Sequence, residues 1–412
     1  MNLCISPDSL TEQTELLFER ADLGSPAWWQ DITRIGTPLR GAHIGETVEL
    51  TFLWRGTPAQ VFIDVYSHTP HIIQSLTALT RIGQTDVWYW RTRLPVDWCG
   101  SYFLLPVEAE DLPPPEHGRE RRHWWIDLME RQAQADSFNL YPPHNSGWGL
   151  PLSAIQLQPA RALPEVITPV QIHHERWLSR RLGNERSIWL YDSGKDNAGD
   201  KPLVILLDGH YWANHQPLLS ELDALTQSGV LPAAQYLFID ALSPRARADE
   251  MPCNPTFWYA LQQELLPRLQ KRFSLTQDPH KTLIAGQSFG GLAAAYAVLH
   301  WPERFGIALS QSGSFWWPDA DEAGDKGELT QAVLAGQGQG ATLRIHLDIG
   351  CYEQDMLGVN RALCDALIAT GHKVSYREFR GGHDWLCWSE GLVSGLISLL
   401  GSPAPDTEFS PA

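Results

Sequence analysis

Apolar positions along the chain follow two rhythms. From about Ser25 to Pro106, β-branched and aromatic residues alternate with polar ones in the runs Glu46–Arg55, Gln60–Ser67, Asp86–Leu94 and Ser101–Pro106. Gly or Pro separates the runs. A period of two bounded by turn residues predicts strands with one buried face, and so an antiparallel β-sandwich of the immunoglobulin-like kind. A Pro-rich stretch follows, with Pro113–Pro115, Pro142–Pro143, Pro151, Pro159, Pro164 and Pro169. Proline fixes φ and lacks an N–H, so this density predicts a connector without continuous helix or central strand. The expected division is a first domain with its connector over 1–155, a second domain over 156–402, and a tail over 403–412.

Beyond the connector the apolar runs become nearly continuous: Leu203–Asp208, Gln235–Asp240, Thr282–Gly286, Gly306–Ser310, Leu343–Gly350 and Val374–Phe379. Strands buried on both faces have this texture. Helical spacing lies between them. Phe257, Trp258, Leu261, Leu265, Leu266, Leu269 and Phe273 share one face, with Pro267 set to kink that helix. Met356–Leu367 and Trp385–Leu400 repeat the spacing. Strands alternating with helices predict an α/β fold, a doubly wound and mainly parallel sheet covered on both sides.

Composition narrows the function. With 31 Lys+Arg against 48 Asp+Glu the formal charge is −17, which gives no general attraction to nucleic acid or anionic lipid. Met1–Leu17 carries neither a basic cluster nor an apolar run of signal-peptide length, and the apolar run near Gly391–Leu400 is too short to span a bilayer. The expectation is therefore a cytoplasmic protein without membrane insertion. Six cysteines are scattered with no C-x-x-C pair, which predicts reduced thiols and no metal site. The 18 tryptophans are large amphipathic surfaces, suited to cores or to walls for aromatic ligands.

The chemistry-bearing motif is Gly286-Gln287-Ser288-Phe289-Gly290, a G-x-S-x-G sequence between a buried strand and the small-residue helix Phe289–His300. Glycines on both sides allow a turn tight enough to expose the serine hydroxyl, and the helix N-terminus supplies N–H groups where an oxyanion would form. Serine needs a base. His383, in the Arg380-Gly381-Gly382-His383-Asp384 segment after the last strand, occupies the place of that base. Glu353, in the loop after Leu343–Gly350, is the leading candidate for the orienting acid, with Asp355, Asp384 or no third member as alternatives. Phe289 N–H and an amide of the Asp208–Trp212 loop, that of Tyr211 or His210, are the expected oxyanion donors, although an ordinary βα turn would look the same.

Asp208–Ala213 (DGHYWA), Ile239–Asn254 (IDALSPRARADEMPCN), Ala285–Leu292 (AGQSFGGL), Leu309–Trp317 (LSQSGSFWW) and Gly381–Trp388 (GGHDWLCW) together resemble the enterochelin esterases. The likeness runs from about residue 25 to 400, departing from the family at His210 and in carrying both Arg245 and Arg247. It implies an esterase-type α/β-hydrolase domain behind a β-rich domain, with Ser288, Glu353 and His383 as catalytic residues. It further implies a ferric catecholate siderophore, a cyclic trilactone of dihydroxybenzoyl-serine, as small-molecule substrate. No cofactor is implied, since the iron arrives with the substrate. Such a ligand is aromatic and anionic, so Arg247, Arg245, Trp212 and Trp316 or Trp317 become candidate contacts. The alternative places these tryptophans in the core and pairs the arginines with Asp249 and Glu250. Two other functions stay open: an esterase for feruloyl, acetyl or thioester substrates, and a non-catalytic siderophore binder. Oligomeric state is not legible.

Overall fold

In β2 (Thr47–Arg55) and β5 (Val87–Pro95), nine residues each, the alternation of polar and apolar positions becomes an antiparallel pair. The computed structural model describes residues 14–72, 74–114, 119–157, 170–194, 200–319 and 326–401. Pro115, Pro159, Pro164, Pro169 and the tail over 403–412 lie outside the described residues. Two units are distinguished: Met1–Ala160 with Arg380–Cys387, and Arg161–Phe379 with Trp388–Ala412.

The first unit holds two antiparallel four-stranded sheets. One has the order β1-β2-β5-β4, adding β1 (Leu39–Ile44) and β4 (Thr80–Arg81). The other has the order β3-β6-β8-β7, formed by β3 (Gln60–Val65), β6 (Cys99–Val107), β7 (His144–Asn145) and β8 (Pro151–Gln156). Phe52 of β2 meets Tyr102 of β6 edge to face at 4.9 Å, which joins the two apolar faces. The Pro-rich stretch is more ordered than its composition predicts. Arg119–Gln132 is a 14-residue helix, and β8 pairs with both β6 and β7. The reason is placement: no proline lies inside that helix, and Pro151 opens its strand. A further helix, Pro26–Ile35, is capped by Ser25 and buries Trp28, Trp29 and Ile32.

The second unit is built on one eight-stranded sheet of order β16-β15-β14-β13-β11-β12-β10-β9. Its strands are β9 (His173–Ser179), β10 (Asn184–Asp192), β11 (Leu203–Leu206), β12 (Gln235–Ile239), β13 (Thr282–Gln287), β14 (Ile307–Gln311), β15 (Arg344–Gly350) and β16 (Lys373–Phe379). β11 to β16 run parallel, and β9 and β10 form an antiparallel edge. The expected kink at Pro267 takes the form of a π-helical turn over Leu261–Leu265, directly before the helix Leu266–Gln270. The winding reverses at β11, which has β12 on one side and β13 on the other. Ligands bind at such switch points, beyond the carboxyl ends of the strands.

Trp28, Trp29, Trp98, Trp177, Trp212 and Trp258 are fully buried, so tryptophan is used heavily for packing. Among the described residues every cysteine is a free thiol, no cluster of His, Cys, Asp or Glu could hold a metal ion, and no helix is long and apolar enough to cross a membrane.

His346 of β15 is 5% exposed, with Nδ1 2.5 Å from Ser375 Oγ. Burial, helped by the nearby Arg377 cation, pushes its pKa down from 6.5 to about 4. The unfolded chain therefore binds a proton here that the native state refuses. Stability from this group is complete above pH 6.5 and is lost as pH falls toward 4. Replacing His346 with Gln should lessen the acid-induced fall in unfolding free energy by on the order of 1–3 kcal/mol. Denaturant titrations of both proteins across that range check this.

Candidate functional site

The strand β13 ends in Gly286-Gln287, and the helix Phe289–His300 begins one residue after Ser288. Between them Ser288 adopts φ 55° and ψ −118°, a conformation that L side chains rarely hold. Backbone bonds on both sides fix it: Ser288 N–H donates to Gln311 O at 2.9 Å, and its carbonyl accepts from Leu292 and Ser314 N–H. Gly286 cannot be replaced here, because a Cβ would collide with the Gly290 carbonyl. The turn leaves the Ser288 hydroxyl half-buried, with Oγ 3.3 Å from Ser314 Oγ. Phe289 N–H, at the head of the helix, has no backbone acceptor among the described residues. A half-buried hydroxyl and an open donor thus stand side by side at the switch point.

The loop after β11 is shaped by the same kind of backbone. Asp208 is left-handed at φ 55° and fully buried. Here two expectations are corrected. Tyr211 N–H, one of the two amides expected at the oxyanion, donates to Asp208 O at 3.0 Å and is held by the turn. Trp212 is fully buried and its Nε1 donates to Gln287 Oε1 at 3.1 Å; it packs under the loop and offers no wall to a ligand.

The two arginines separate sharply. The Nε and Nη2 groups of Arg247 donate to the two Asp208 carboxylate oxygens at 2.7 and 2.8 Å, and Nη2 also reaches Gln287 O at 2.8 Å. Its charge is paired with a buried carboxylate, a partner different from both Asp249 and Glu250. Arg245, on the same helix Pro244–Glu250, has a side chain 94% exposed, with one long contact to Asp249 at 3.9 Å. Trp316 and Trp317 are half-buried and each lies 5.8 Å from the Phe289 ring, beside the serine turn.

A buried polar chain runs beneath the strand ends, and nothing in the sequence pattern announces it. Gln287 Nε2 donates to Gln311 Oε1, and Gln311 Nε2 donates to Trp388 O. Trp388 Nε1 donates to Ser312 Oγ at 2.9 Å, and Ser312 Oγ donates to Glu353 Oε1 at 2.6 Å. Glu353 is nearly fully buried and also accepts Gly350 N–H at 2.9 Å. Among the acids weighed for this loop, it is the one built into the network. Asp355 lies in the first turn of the helix Gln354–Ala369. Buried carboxylates are tolerated where hydrogen bonds satisfy them.

His383 belongs to the segment Arg380–Cys387 of the first unit. It is half-buried, and its backbone N–H donates to Ser67 Oγ at 2.9 Å. The adjacent Asp384 is buried, and both its oxygens are engaged, by Ser101 N–H and by Ser101 Oγ and Leu386 N–H.

Residues 179–399 match the esterase family, and residues 49–166 match the family described as enterochelin esterase, N-terminal. The iron(III) enterobactin esterase of Dickeya dadantii is 39% identical, with 94% of this chain and 96% of the relative covered. A crystal structure of the ferric enterobactin esterase from Salmonella typhimurium superposes with a TM-score of 0.81 at 37% identity, covering 91% of this chain and 98% of that one. The enterobactin esterase from Shigella flexneri, crystallised in the presence of enterobactin, gives 0.77 at 38%, with 92% and 98% covered. The chain belongs to the enterochelin esterase family of carboxylic ester hydrolases.

Proposed function

We propose that this chain hydrolyses the ester bonds of iron(III) enterobactin, or of a close catecholate relative, and so releases iron in the cytoplasm. The observation that carries the reading is the left-handed Ser288 at the switch point with the open Phe289 N–H beside it. The names of the relatives, and the Shigella flexneri structure obtained with enterobactin present, support the substrate.

In this mechanism Ser288 Oγ attacks a lactone carbonyl while His383 takes its proton. Phe289 N–H stabilises the oxyanion. His383 then protonates the departing serine alcohol of the substrate, and water, activated by the same imidazole, releases the acyl group. Glu353 orients the base. Trp316, half-exposed beside Phe289, offers a flat face to a dihydroxybenzoyl ring. Arg245 presents its exposed cation to the anionic complex. Arg247 acts through the turn it holds: it grips the carbonyl that precedes Ser288 and the buried Asp208 of the facing loop.

Replacing Ser288 with Ala should lower turnover of the iron complex by about three decades or more while ligand is still retained. Fluorophosphonate should label the unmodified protein at Ser288. A variant that cleaves at the normal rate removes Ser288 from the chemistry, and activity confined to simple aryl esters points to a different substrate. Mass spectrometry of the products over time counts the esters cut.

The arginines should part company in steady-state kinetics. Arg247→Ala is expected to lower kcat by about 10- to 100-fold for the iron complex and for an uncharged aryl ester alike. Arg245→Ala should instead raise KM for the iron complex alone, by roughly three- to tenfold, and the rise should shrink with salt.

A further inference from the structure

We propose that the β-rich first unit holds the catalytic base in place, with Ser67, Ser101 and Asp384 as positioning residues for His383; this rests on the reading of His383 as the base. The segment that carries His383 is poorly equipped to hold itself. Gly381 and Gly382 precede the histidine without side chains, and glycine pairs lose the most freedom on ordering.

The missing constraint comes from the strands of the first unit. Ser67 follows β3 in a left-handed conformation, φ 60°, and its Oγ accepts the backbone N–H of His383 at 2.9 Å. Gly382 packs so closely on Ser67 that a Cβ at residue 382 would collide with the Ser67 side chain. The absence of a side chain there permits the contact. One residue beyond the histidine, the buried Asp384 carboxylate accepts both the N–H and the hydroxyl of Ser101 in β6, the latter at 2.8 Å. Ser101 is fully buried, and its Oγ also lies 2.9 Å from His144 Nε2 of β7. Arg380, at the start of the segment, pairs with Asp97 at 3.0 Å.

The base is thus fastened on its own amide and on the following side chain. Burial raises the Asp384 carboxyl above its usual range, against which the Leu386 and Ser101 donors work. A buried carboxylate with all its donors on one serine and its own turn is worth keeping only if its position matters. With both oxygens so engaged, Asp384 anchors the loop, while Glu353 remains the candidate for orienting the imidazole. Misplacement of a catalytic group by a single ångström is enough to cost about 10²-fold in rate.

The test uses the full-length protein and three variants, Ser67→Ala, Asp384→Asn and His383→Ala, assayed on the iron complex across pH. Ser67→Ala and Asp384→Asn should each lower kcat by about tenfold or more, leave KM within about threefold, and move the acidic limb of the kcat profile, which reports the base. A loss of packing alone would lower the melting temperature and the active fraction without moving that limb. Should Asp384→Asn fail to fold, Ser67→Ala decides the matter, since it removes one hydrogen bond from a half-buried hydroxyl. Unchanged kcat and pH profile in Ser67→Ala and in any folded Asp384→Asn, with His383→Ala inactive, would overturn the positioning role and leave the base assignment standing. Full activity in His383→Ala would overturn both.

Discussion

The backbone reversal at Ser288 is the constraint on which the site depends. A non-glycine residue at positive φ costs about 1–3 kcal/mol, and it persists only where the surroundings over-determine it. Here they do. Gln311 and Ser314 on one side, Leu292 on the other and the Arg247 guanidinium on the preceding carbonyl leave the peptide no alternative. Asp208, Leu242 and Ser312 share the left-handed conformation near the ends of β11, β12 and β14. The sheet concentrates its strain at the carboxyl ends of its central strands, above a core of buried aliphatic residues.

Beneath those strand ends lies a buried polar layer. The bonds from Trp212 through Gln287, Gln311, Trp388 and Ser312 to Glu353 link the serine turn to the Glu353 loop across neighbouring strands. Such a chain is stabilising only while every member is satisfied, since one unpaired group in a medium of low dielectric is costly. It also separates two kinds of tryptophan. Trp212 and Trp388 spend their N–H inside the layer, whereas Trp316 and Trp317 lean on Phe289 and keep part of their surface exposed.

Much of this was legible in the chain. The parallel strands announce themselves because burial on both faces requires unbroken apolar runs, and the serine turn because its glycines have no substitute. The edge strands β9 and β10 escaped notice because β9 is mostly polar and β10 opens on four polar residues, despite the Gly183-Asn184 turn signal where they join. Proline density misled, since what matters is where each proline falls and not how many there are. Arg247, Tyr211 and Trp212 illustrate a deeper limit. Residue type and position beyond a strand end are known from sequence, but the partner that claims a guanidinium or an amide is fixed only by tertiary packing.

The return of residues 380–387 to the first unit has a consequence for synthesis. Amino-terminal modules usually fold while the ribosome is still at work. This one lacks a piece of itself until residues 380–387 have emerged. Nascent or terminated chains that stop short of residue 380 therefore lack the histidine loop on which hydrolysis is proposed to depend.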